Sequence, residues 1–219
     1  MSKVLLVLDM DDTLCDTQSE VVIRLRRKLY DRAAWEDLMW VYDSFNANRI
    51  HRTHSTMLYP PHLRDIINTE IIQEAGYIKT VKPTTLVTDG KLGEMITRLR
   101  AQLGDDLKTI IGTHRNGERN VFEDTIDWLD RANFSQYIDN FHFISNTRHR
   151  NKIEYLESFF PEYKIVLLDD NPFGDLHTVH EPNESVLVYQ ELCTYDAYTH
   201  QNKFKSVDIL ADMIMDLAR

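Results

Sequence analysis

Five short apolar runs constrain this chain more than any other feature: residues 4–8, 109–111, 141–144, 165–168 and 186–189. Continuous apolar runs of this length, rich in Val, Ile, Leu and aromatic residues, are the pattern of strands buried on both faces. Between them the apolar spacing becomes helical. Leu92, Met95, Ile96 and Leu99 form one stripe, Val121, Phe122, Ile126 and Leu129 a second, and Ile153, Leu156, Phe159 and Phe160 a third. A last amphipathic stretch covers residues 207–217. Strand and helix therefore alternate, which predicts an α/β fold: a Rossmann-like parallel sheet with helices on both faces. In such a sheet the functional groups gather in loops beyond the carboxyl ends of the strands.

Residues 17–88 break this pattern. No strand-like run appears there, and three stretches have helical spacing: residues 19–30; Trp35, Leu38, Met39 and Tyr42; and Leu63, Ile66, Ile67 and Ile71. Pro60, Pro61 and Pro83 mark breaks within the segment or at its exit. The expected organisation is a core from residues 1–16 and 89–219, with residues 17–88 inserted as a helical cap. Trp35 and Tyr42 share a stripe with Leu38 and Met39, so they are expected in the core of the cap. The basic run Arg24-Leu25-Arg26-Arg27-Lys28 is expected on a wet helix face, paired at i,i+4 with Glu20 and Asp31.

Charge and cysteine content narrow the function classes. The 219 residues carry a formal charge of −10, which argues against long nucleic acid as a partner. Two cysteines, Cys15 and Cys193, are too few for a disulfide framework and lack the spacing of a zinc site. The N-terminal apolar run is too short to cross a membrane and ends in acids, so a cytoplasmic protein without membrane contact is expected.

Those acids, Asp9-Met10-Asp11-Asp12-Thr13, directly follow the first apolar run. Two carboxylates held about 4 Å apart repel by about 4 kcal/mol at an effective dielectric near 20, so a cation is expected beside them. Asp169-Asp170-Asn171-Pro172 follows the fourth run in the same way, with Asp175 further on. Oxygen ligands without His or Cys favour a hard ion, and Mg²⁺ suits a few carboxylates completed by water and phosphate oxygens. Solvated turn residues are the alternative, and for a lone acidic pair the usual one. Thr113 follows the second run, beside His114 and Arg115, and Lys152 opens a helix after the third. A hydroxyl and an ammonium there could hold phosphoryl oxygens, although capping and surface roles are the ordinary ones for such residues.

The order Asp-x-Asp-x-Thr, then Thr, then Lys, then Asp-Asp, each just past a strand, resembles the haloacid dehalogenase superfamily of phosphotransferases. A response-regulator receiver also uses Asp, Thr and Lys, but its lysine comes last; here the acidic pair does. The resemblance runs from residue 4 to about 175. It implies an Mg²⁺-dependent phosphatase working through an aspartyl phosphate. Asp9 would be the nucleophile, Asp11 the general acid and base, and Thr113 and Lys152 the groups holding the transferring oxygens. The metal would be bound by Asp9, the backbone carbonyl of Asp11 and Asp170, with Asp169 and Asp175 nearby. Many members carry Gly where this chain has Asp12. A P-loop is not formed: Gly112 and Gly117 have its spacing, but Glu118-Arg119 replaces the required Lys-Ser/Thr.

A cap inserted at this point implies a small phosphorylated substrate closed off from water. Thr13, His114 and Arg115 at the rim, and His51, Arg52 and His54 in the less regular stretch before Pro60, are the substrate-binding candidates. For that stretch a solvated polar loop is an equal alternative. The Leu167-Leu168-Asp169-Asp170-Asn171-Pro172 turn and the helical cap are similar to the 5′(3′)-deoxyribonucleotidase branch, which implies (deoxy)nucleoside monophosphates. Sugar phosphates and nucleic-acid end phosphates remain alternatives, as does a catalytically silent phosphometabolite- or partner-binding module.

Overall fold

A computed structural model describes residues 2–47, 49–50, 58–74, 76–115, 119–145, 148–149, 152–170, 186–189, 202–204 and 206–219. The five apolar runs are strands: β1 (Lys3–Leu8), β2 (Leu107–Thr113), β3 (Asn140–Phe143), β4 (Tyr163–Leu168) and β5 (Val186–Tyr189). A sixth, β6 (Asn202–Phe204), was not expected. All pair in parallel, in the order β3-β2-β1-β4-β5-β6.

The pleat of the central strands divides the interior in two. Val4, Leu6 and Leu8 of β1, Ile111 of β2 and Val166 and Leu168 of β4 face the larger cluster. Leu5, Val7, Ile110, Ile165 and Leu167 face the smaller one. Helices α6 (Lys91–Leu103) and α9 (Val207–Ala218) close the first face with Leu92, Met95, Ile96, Leu99, Leu210 and Ile214. Helix α8 (Lys152–Phe159) closes the second with Ile153 and Leu156. A third helix, α7 (Arg119–Arg131), adds Trp128 and Leu129 to the larger cluster. Each such side chain contributes roughly 1.5–3 kcal/mol on burial, so β1, buried on both faces, is the best anchored part of the sheet.

Between β1 and α6 the described chain forms helices: α1 (Thr17–Asp31), α2 (Trp35–Asn46), α3 (Pro61–Ile66) and the short α4 (Tyr77–Thr80) and α5 (Thr85–Thr88). Asp16 caps α1 by accepting from the Ser19 N–H at 3.3 Å, and Pro61 starts α3, where its missing N–H costs nothing. A π-helical turn, Ile67–Ile71, continues α3 and keeps Leu63, Ile67 and Ile71 on one buried line. The segment leaves and returns at one place: the Asp16 N–H donates to the Lys82 carbonyl and the Thr84 N–H to the Leu14 carbonyl, at 2.8 and 2.9 Å.

The stripe expected on α2 is corrected. Leu38, Val41 and Ser44 are its buried residues, whereas Trp35 and Met39 are more than half exposed and Tyr42 is 41% exposed. The helix is rolled by about one position, and its outer aromatics pack on α1 instead: Trp35 meets Tyr30 edge-on at 5.5 Å, and Arg26 lies 4.1 Å over the Tyr42 ring. The basic run on α1 is paired as expected at Arg24–Glu20, 2.7 Å, but it also reaches across the fold, Arg24 to Glu74 at 2.7 Å and Lys28 to Glu70 at 3.7 Å.

Candidate active site

The site begins where β1 and β4 end. They pair in register, Leu8 beside Leu168, so the next residues leave the sheet together. The Asp9 N–H donates to the Leu168 carbonyl at 3.0 Å, and the Asp170 N–H donates to the Thr13 hydroxyl at 3.2 Å. Two acidic turns far apart in sequence are thus tied to each other by one backbone bond and one threonine hydroxyl. Asp9, Asp169 and Asp170 are all buried, and each offers a carboxylate oxygen within 4.8 Å of the others. Buried acids this close need cations.

One cation is built in. Lys152, the first residue of α8, is 3% exposed, and its ammonium donates to Asp9 Oδ1 at 2.7 Å and Asp169 Oδ2 at 2.6 Å. Burial works to discharge it, but Asp169 and Asp9 prevail and hold its pKa above the ordinary lysine value. Among the described residues, these ion pairs set one ammonium against the acids. Burial pushes Asp9 up to about 6 against the pull of Lys152, with Asp169 and Asp11 adding to the rise. A second cation would restore its ionised form. An all-oxygen set of buried carboxylates fits a hard divalent ion such as Mg²⁺, which Asp9 and Asp170 would hold with Asp169 beside them.

Thr113, at the end of β2, is 1% exposed, and among the described residues its hydroxyl has no hydrogen-bond partner. A buried orphan hydroxyl costs stability unless a ligand satisfies it. His114 lies part-buried beside it, and its Nε2–H donates to the His149 carbonyl at 2.9 Å. Burial, and then the charge of Lys152, lower its pKa to about 4.

Asp11 is held differently from Asp9. Arg115 grips it with two N–H groups, Nε to Oδ2 at 2.8 Å and Nη2 to Oδ1 at 2.6 Å, and the Thr17 hydroxyl donates to Oδ1 at 2.6 Å. Beside these groups a cleft of about 580 Å³ opens between the helical segment and the sheet, lined by Asp11, Thr17, Tyr77, His114, Arg115 and Asp124 among others.

The structure therefore brings together Asp9, Asp11, Thr113, His114, Lys152, Asp169 and Asp170. Two of the substrate-binding candidates have structural partners in the described residues. Thr13 is fully buried, and its hydroxyl ties the two acidic turns together. Arg115 spends its fork on Asp11 and its remaining edge on the Thr125 hydroxyl. His51, Arg52, His54 and Asp175 lie outside the described residues. Sequence reasoning missed Thr17 and Thr125. Thr17 had a signal, a hydroxyl at a helix start shortly after the acids; Thr125, in the middle of α7, had none.

The sequence matches no protein-family model and none of the curated proteins compared with it. Solved structures do match over nearly the whole chain. A predicted phosphatase from Clostridium acetobutylicum superposes with a TM-score of 0.54 at 12% identity, covering 99% of this chain and 100% of that one. A HAD-superfamily hydrolase of subfamily IA, variant 1, from Geobacter sulfurreducens gives 0.51 at 10% identity, covering 97% and 96%. A HAD-superfamily hydrolase from Ehrlichia chaffeensis gives 0.50 at 10% identity with both chains covered in full. The fold is that of the HAD-superfamily hydrolases.

Proposed function

We propose that this chain is a Mg²⁺-dependent phosphomonoesterase that works through a phosphorylated Asp9, with residues 17–88 as a cap over the cleft. The observation that carries this is the buried grouping of Asp9, Asp169 and Asp170 around the Lys152 ammonium, at the point where β1 and β4 end. The Asp9 carboxylate placed there is oriented on one oxygen by Lys152. When bound, Mg²⁺ supplies the charge that lets an anionic nucleophile approach an anionic phosphate.

The chain's own groups account for the rest. An Asp9 oxygen attacks phosphorus, the bond from phosphorus to the leaving oxygen breaks, and that oxygen takes a proton from Asp11. Asp11, now a carboxylate, takes a proton from water; the water oxygen bonds to phosphorus and the Asp9 carboxylate departs. The Thr113 hydroxyl and the Lys152 ammonium steady the phosphoryl oxygens. Thr17 and Tyr77 from the helical segment face His114, Arg115 and Asp124 from the core across one cleft, which supports the cap assignment.

The cleft volume lies in the range of small-molecule sites, and a (deoxy)nucleoside monophosphate is the substrate class we favour; sugar phosphates and nucleic-acid end phosphates are the competitors. Phosphate release from a panel of nucleotides, sugar phosphates and an aryl phosphate, with Mg²⁺ and with a chelator, decides among them. We expect nucleoside monophosphates to be preferred, the chelator to stop turnover, and Asp9→Asn to abolish it. Equal slow rates on every substrate would remove the nucleotidase assignment, and binding of phosphate esters without release under saturating Mg²⁺ would make this a binding module.

A further inference from the structure

We propose that Arg115 is a positioning residue for the proton transfers of Asp11, a clamp that fixes the plane of the carboxyl group beside the cleft. This rests on the phosphatase function proposed above and adds a role which that function does not require. Arg115 is 8% exposed, so it is part of the interior rather than a mobile surface cation. Its guanidinium is held along three edges. Nη1 donates to the Thr125 hydroxyl at 3.0 Å, Nη2 approaches Cys15 Sγ at 3.6 Å, and Nε and Nη2 together face Asp11. Thr125 is itself fixed, its hydroxyl donating to the Val121 carbonyl at 2.7 Å.

The chain of contacts therefore runs from the backbone of α7 through Thr125 and Arg115 to Asp11, with the Thr17 hydroxyl completing the grip from the start of α1. A planar fork whose own rotamer is locked fixes both the position and the tilt of the carboxylate it binds, which a lysine cannot do. Asp11 hands a proton to the leaving oxygen as the bond to phosphorus breaks, then takes one from water; both transfers need an oxygen within hydrogen-bond reach of a moving target. Misplacement by about 1 Å is enough to cost about 100-fold in rate. Arg115 turns its Nε and Nη2 groups to Asp11. It acts through Asp11.

The test is a leaving-group series: aryl phosphates from 2,4-dinitrophenyl to phenyl, with Mg²⁺, read as kcat/KM, which reports the steps up to phosphorylation of Asp9. A good leaving group departs without a proton, and a poor one does not. For Arg115→Gln we expect little change on 2,4-dinitrophenyl phosphate and a loss of about 100-fold on phenyl phosphate, a steeper dependence on leaving-group pKa than in the wild type. Arg115→Lys, which keeps the charge without the fork, should fall well short of wild type on phenyl phosphate. Thr125→Val leaves Arg115 in place and loosens it, and should steepen the series in the same sense by a smaller amount; it carries the test if Arg115→Gln does not fold. A loss equal across the series, or one confined to KM, overturns the clamp while leaving the phosphatase standing. A wild-type protein inert on every member of the series overturns the phosphatase, and the clamp with it.

Discussion

Asp12 shows at the scale of one residue why the loop after β1 tolerates an unusual sequence. Its φ is +54°, the left-handed region that glycine enters freely and most L-residues enter at a cost of roughly 1–2 kcal/mol. Aspartate is among the side chains that visit it, and here Asp12 Oδ1 accepts from the Gln18 N–H at 2.8 Å, binding the loop to the first turn of α1. The departure from glycine that the sequence displays is thus accommodated rather than disruptive. His114 gives a prediction at the same scale. With its pKa lowered to about 4 against an ordinary 6.5, the folded state binds fewer protons than the unfolded state between those values. Its contribution to stability is therefore complete above about pH 6.5 and is lost as pH falls toward 4. Urea unfolding in the presence of a chelator should show wild-type stability declining from pH 6.5 to 4.5, with a shallower decline in His114→Gln; identical slopes would contradict the assignment. The acids and Thr113 drew attention because they follow closely on apolar runs, and Lys152 because it opens the helix after the third run. The partners of Asp11 were not, because nothing in a sequence marks which arginine turns toward which carboxylate.

Elements were legible in proportion to how completely they are buried. The central strands β1 and β4 carry unbroken apolar runs, while β2, the edge strand β3 and β5 carry runs of three or four residues that are still strand-like. The last strand, Asn202-Lys203-Phe204, pairs on one side only and has no such run, so it left no trace. The four-residue helices α4 and α5 are too short to show a period, and α2 misled because its outer face carries the exposed Met39 together with Trp35 and Tyr42, which pack on Tyr30 and Arg26 of α1. Within β2, Gly112 has a packing reason to be glycine: a Cβ built there would lie 2.5 Å from Val7 Cγ1 of the neighbouring strand. Gly112→Ala should destabilise the protein by about 1–3 kcal/mol in denaturant unfolding. Combining it with Val7→Ala, which opens that space, should cost less than the sum of the two single changes; strict additivity would show that the contact is not the cause.

At the scale of the molecule, helices cover both faces of a parallel sheet and leave one rim for chemistry, and among the described residues no helix is long and apolar enough to cross a membrane. The acid grouping at that rim gathers three buried carboxylates at one point of the fold. Mg²⁺ should therefore raise the thermal midpoint, by an amount that grows with its concentration and corresponds to about 2.7 kcal/mol at a hundred times the dissociation constant. Asp170→Asn should abolish most of that rise in a melting experiment, and an equal rise in the variant would place the ion elsewhere.

The pairing of β1 with β4 has a kinetic corollary. Residues 9 and 170 meet only after a loop of more than 150 residues has closed, so no partly assembled intermediate lacking that pairing can chelate an ion there. Recovery of ion binding during refolding would then mark the end of the reaction, arriving together with the last long-range zipping of the sheet and never ahead of it.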